Sequence, residues 1–111
     1  MISNLENKIF DATVSTDVII GPLLINKSAG YAYQIDYGAI IGTFTVQESI
    51  SGEADAFLDA QDSSGNAISQ AVSGPGKGII QVGGSFGKWT QLKFTITSGS
   101  GNVKVWCEAK G

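Results

Sequence analysis

The chain has 111 residues, a net charge of −3 and a single cysteine, and its seven basic residues are all lysine, with no arginine or histidine. A chain of this length forms one domain and buries about two-thirds of its unfolded surface, enough for a core without an internal disulfide. Bidentate recognition of phosphates and bases rests on arginine, and the lysines are scattered along the chain; both observations argue against nucleic acid and against an anionic membrane as partners.

Residues 1–7 are polar and read as a loose arm, with a sandwich domain over 8–111. That start shows no charged segment followed by an apolar run, so the expectation is synthesis in a cytoplasm without a secretory leader. Lys8 to Thr13 reads as a first strand with Ile9 or Phe10 inward. Val18 to Ile20 and Leu23 to Ile25 flank Gly21-Pro22; because proline has no N–H for a ladder, this is an edge strand or two short strands with a bend. Asn26 to Gly30 is a turn. Tyr31, Tyr33, Ile35 and Tyr37 then alternate with Ala32, Gln34 and Asp36, and tyrosine suits either a core or an interface strand.

Gly42 to Glu48 is the next strand, with Phe44 and Val46 inward. The segment from Glu53 to Asp62 alternates as a strand does, although Ala54, Phe57, Leu58 and Gln61 also form a helical stripe; its strand neighbours favour strand. Asp62 to Asn66 is a hairpin turn, and Ala67 to Val72 a strand with Ile68 and Val72 inward. Ser73 to Gly78 is the strongest breaker, read as an exposed loop, and Ile79 to Val82 is a short strand.

Leu92, Phe94 and Ile96 alternate with Lys93, Thr95 and Thr97, and beyond Ser98-Gly-Ser-Gly101 the row continues as Val103, Val105, Cys107 and Ala109. The two rows read as a hairpin whose four-residue loop sets Ile96 beside Val103, Phe94 beside Val105 and Leu92 beside Cys107. That register puts Trp89 and Trp106 on one polar face with Lys93, Lys104 and Glu108. Two readings of the indoles stand: cover for lysine stems and a neighbouring loop, or a second buried face made by a partner subunit or ligand. Eight or nine closely spaced strands make the fold an all-β, single-domain antiparallel β-sandwich, jelly-roll-like.

Little in the residues carries chemistry. Cys107 lies in an apolar row and has no histidine base, so it reads as a buried thiol. Asp55, Asp59 and Asp62 read as a solvated acidic edge, with calcium as the alternative if Asp59 and Asp62 converge. Glu48 and Glu53 are the pair a glycosidase would use, but nothing in the sequence sets them in a pocket. Gly74-Pro-Gly76-Lys-Gly78 lacks the spacing and the following helix of a phosphate loop. The expectation is no enzyme, no metal and no cofactor.

Three segments read together resemble a family: Tyr31-Ala-Tyr-Gln-Ile-Asp-Tyr37, Gly42-Thr-Phe-Thr-Val-Gln-Glu-Ser49, and Trp89 through the Thr-Ser-Gly-Ser-Gly run to Val105. From about Asp17 onward the chain resembles small β-sandwich structural proteins of tailed bacteriophages, found as head decoration (cement) proteins or as tail and spike accessory modules. The resemblance implies a virion protein that self-associates, often as a homotrimer, and docks on the major capsid protein or on tail proteins. Its interface would draw on Trp89, Trp106, Lys93, Lys104, Tyr31, Tyr33 and Tyr37. An adhesion module that stacks glycans on exposed aromatic rings is the alternative.

Overall fold

The structure, a computed structural model, describes residues 8–25, 30–83 and 88–110, leaving the side chain of Lys110 aside. The proposed arm at 1–7 and the turn expected over 26–30 lie largely or wholly outside the described residues. Among the described residues nine strands follow in order: β1 (Lys8–Val14), β2 (Val18–Leu24), β3 (Gly30–Tyr37), β4 (Ile40–Ser49), β5 (Leu58–Asp59), β6 (Ser69–Ser73), β7 (Gly76–Gly83), β8 (Trp89–Gly99) and β9 (Gly101–Lys110). One sheet has the order β1-β9-β3-β7; the other runs β2-β8-β4, with β5 and β6 both pairing β4. Leaving β5 aside, the antiparallel pairs nest as β1 with β9, β2 with β8, β3 with β7 and β4 with β6. Nested pairing across two sheets is the jelly roll.

The core follows from alternation. Tyr33, Ile35, Val103 and Val105 from one sheet meet Ile20, Phe44, Val46, Leu92 and Phe94 from the other, all essentially without solvent exposure. Phe44 and Phe94 are direct cross-strand partners, and their rings stack at 4.0 Å and 3°. Such pairs add about 0.5–1.5 kcal/mol beyond the area they bury.

The terminal hairpin is overturned. β8 and β9 belong to different sheets: Phe94 pairs with Phe44 and Val18, and Val105 with Ile35 and Phe10. The glycine-rich run is an arch between layers. Gly99 has φ +85°, and a Cβ there would meet the Ala39 carbonyl oxygen at 2.9 Å, so the chain crosses closely over the β3–β4 connection. Inward faces remain as read, because a strand's face is set by its own alternation whatever strand it joins.

Two other segments differ. Glu53 to Asp62, expected as a strand, is mainly loop, with only Leu58–Asp59 as strand and a bridge from Gln61 to Ala67; Leu58 is 75% exposed. Small alanines in that run offer too little apolar area to hold a full strand against the core. The breaker at Ser73 to Gly78 is shorter than read, since Gly76, Lys77 and Gly78 already pair with Tyr37, Asp36 and Ile35. Gly21-Pro22 sits in β2 as a bulge with a cis peptide, on an edge strand, as proline requires.

Candidate functional site: two outer faces and an end cleft

The seven residues proposed as an interface do not share a surface. Tyr31 and Tyr33 point into the core, with 3% and 0% exposure, and Tyr37 is half-buried at the end of β3. Trp89 and Lys93 lie on the outside of the β2-β8-β4 sheet, whereas Trp106 and Lys104 lie on the outside of the β1-β9-β3-β7 sheet. Both indoles are half-buried. Trp89 rests on the loop after β4: Gly52 there has φ +78°, and a Cβ on it would come within 2.7 Å of the indole nitrogen. Ser49 shapes this loop by accepting a hydrogen bond from the Gly52 N–H at 3.0 Å.

The tyrosine hydroxyls are used inside. Tyr33 bonds the Thr90 hydroxyl at 2.9 Å, Thr90 lies 3.1 Å from the Tyr31 oxygen, and Tyr31 donates to the Glu48 carboxylate at 2.5 Å. Burial pushes both phenols up, and the Glu48 carboxylate raises Tyr31 further. The described residues hold no buried side-chain nitrogen or oxygen without a partner, so this chain of hydroxyls ties one end of β3 to β8 and β4 without an uncompensated polar group. Cys107 is inward next to Tyr33, and burial lifts its thiol to about 11, which keeps it protonated at neutral pH.

The two outer faces differ in chemistry. On the β1-β9-β3-β7 sheet one row crosses four strands as Lys77, Asp36, Lys104 and Asp11, alternating in sign, with a Lys8–Asp11 ion pair of 3.0 Å beside it. The adjacent row is Ile79, Gln34, Trp106 and Lys8, and Glu108 follows beyond it. On the other sheet the outward rows are Leu24, Trp89 and Ser49; Gln91, Gln47 and Asp59; Ile19, Lys93, Thr45 and Ser69; Thr95, Thr43 and Ala71; and Ser98, Ile41 and Ser73. Lys93 and Asp59 are the two charges among these strand positions, and Ile19, Leu24 and Ile41 are 48%, 59% and 45% exposed. Gln91 donates to Gln47 at 2.8 Å and Gln47 to Asp59 at 3.0 Å, a hydrogen-bonded line across the sheet. Neither sequence periodicity nor composition separates these two faces, because the outward positions acquire a common surface only once distant strands pair.

A cleft of about 970 Å³ opens where β4 ends, lined by Glu48, Ile50, Phe57, Leu58, Asp59 and Val82 among others. Asp62 also lines it but is engaged in its own turn, with Oδ1 accepting from the N–H groups of Ser64 and Asn66. Among the described residues no three of histidine, cysteine, aspartate or glutamate are grouped to hold a metal ion, so Asp55, Asp59 and Asp62 do not form a three-carboxylate group. Glu53 stands exposed in the β4–β5 loop. No protein-family model, curated protein or solved structure matches the chain.

Proposed function

We propose that this chain is a structural protein of a tailed-bacteriophage virion, a jelly-roll module that self-associates and docks on the capsid as a decoration or stabilising protein. The observation that carries the reading is the charge-poor outer face of the β2-β8-β4 sheet. Depletion of charge at the centre of a surface, with apolar groups exposed, is the compositional mark of protein–protein contact. Ile19, Leu24 and Ile41 stand out from a field of threonine, serine and glutamine there. The jelly roll is a fold that viral shells use repeatedly, which adds weight by analogy alone. The test is quantitative mass spectrometry of purified particles. The reading expects this chain at a fixed copy number per virion, and its absence from particles overturns it.

A tail or spike adhesion module is the second reading, favoured by the end cleft. Glu48 is held there by Tyr31 and Asp59 by Gln47, so two carboxylates are oriented on a wall that also carries Phe57 and Leu58. Oriented acceptors beside apolar surface suit sugar hydroxyls and ring faces. A glycan array read with wild type and with Glu48→Gln tests it: hits lost in the variant support the cleft, and an array without hits removes it.

A further inference from the structure

Among the described strand positions, the charge-poor face carries one positive and one negative side chain, and their arrangement is self-complementary. Lys93 on β8 is the register partner of Thr45 on β4, and Asp59 on β5 is the register partner of Gln47 on β4. Both charges are exposed, and they flank β4 from opposite sides, two residues apart along it. Strand spacings of about 4.8 Å and rises of about 3.4 Å per residue put them about 12 Å apart, with the midpoint on β4, the central strand of that sheet. A two-fold axis lying in the plane of contact and bisecting that line lays each Lys93 on Asp59 of the second copy, twice per pair. The same operation brings Thr45 and Gln47, either side of the midpoint, near their equivalents and turns Ile19 and Leu24 toward the second copy.

We propose that the first occupant of this face is a second copy of this chain, in an isologous two-fold dimer registered by reciprocal Lys93–Asp59 pairs. The inference rests on the reading of this face as the contact surface and names its partner. An isologous contact needs a surface complementary to itself, and a face with two charges of opposite sign astride its centre meets that condition. The opposite outer face is set apart by cost: its row Lys77, Asp36, Lys104 and Asp11 is complementary to itself too, but covering it takes twice as many charges out of water as covering Lys93 and Asp59.

The experiment is a charge swap followed by sedimentation velocity across a concentration series. Wild type is expected at two chain masses. Lys93→Glu, which makes both charges negative, and Asp59→Lys, which makes both positive, each weaken the dimer by about tenfold or more. The double variant carrying both changes restores it. Ile79→Lys, on the opposite face, leaves association unchanged, and a thermal melt of every variant confirms that the fold persists. A wild-type monomer at all concentrations, a mass of three chains, or a double variant no better than the singles overturns the dimer. If the chain is absent from particles but dimerises with this signature, the virion reading fails and the dimer stands; if it is present on particles but never dimerises, the reverse holds.

Discussion

The two outer faces enclose the same core, yet one is laced with charges of alternating sign and the other is almost neutral. Inside, both sheets obey one constraint: the inward rows must interdigitate, so Tyr33, Ile35, Val103 and Val105 answer Phe44, Val46, Leu92 and Phe94. Outside, that constraint is absent, and the difference is informative for that reason. A row such as Lys77, Asp36, Lys104 and Asp11 gains from cross-strand attraction while wet. Desolvating it is expensive. Threonine, serine and glutamine cost far less to cover when each finds a hydrogen bond, at about 1–3 kcal/mol for one left unmade. The cheaper face to bury is therefore the β2-β8-β4 face.

The largest effect expected tests whether both faces are backed by one core. Phe94→Ala removes a ring that is 0% exposed and stacked on Phe44, and should cost about 3–5 kcal/mol in urea unfolding. Both faces should be lost in one transition. A loss below about 1 kcal/mol would mean that the sheets do not share this packing.

The two tryptophans sharpen the comparison directly. Trp89→Ala uncovers the Gly52 loop and removes apolar area from the neutral face, so it should cost about 1–3 kcal/mol of stability and also weaken association. Trp106→Ala removes a half-buried ring set between Lys8 and Gln34, and should lower stability by a similar or smaller amount while leaving association unchanged. An association defect in Trp106→Ala with none in Trp89→Ala would exchange the roles of the two faces.

What was legible in the sequence divides along physical lines. The inward faces of Tyr31 to Tyr37, Phe44 to Val46 and Leu92 to Ile96 were readable, because alternation is a local property of each strand. The partner of each strand was not. An apolar row looks the same whether it pairs with the next strand or with one far along the chain, and the Ser98 to Gly101 run suits a hairpin as well as an arch between sheets. Placing the indoles on a common face followed from that one unsupported pairing. The tyrosines show a second limit: Tyr33 finds its partner at Thr90, 57 residues away, and no local pattern links the two. The site suffers most, since a surface made of β2, β8, β4 and β6 exists only after all four have been paired.

That hydroxyl chain gives the next smaller effect, and it belongs to the core between the sheets rather than to either outer face. Tyr33→Phe takes one partner from the Thr90 hydroxyl, which keeps the Gln47 carbonyl at 3.1 Å as an acceptor. The cost should be about 1 kcal/mol, with association on the neutral face unchanged. Altered dimer stability in this variant would show that the core couples to that face through β8.

The smallest effect distinguishes the faces by their response to acid. The Asp11 carboxyl is held below the usual carboxylate range, first by its hydrogen bond from Lys8, then by one from Asn102, with Lys104 across the strand adding attraction. A carboxyl depressed by folding stabilises the native state above its unfolded value of 3.8, and that stabilisation disappears as pH falls through the lower folded value. Asp11→Asn should therefore lower the melting temperature slightly at neutral pH, with the gap to wild type closing below about pH 4 and shrinking in high salt. Thr45→Val on the other face carries no titrating group, so whatever shift it causes should hold across the same pH range. If the Asp11→Asn gap persists unchanged at pH 2, the charged row contributes nothing electrostatic to the fold, and the contrast between the faces reduces to one of exposed apolar area.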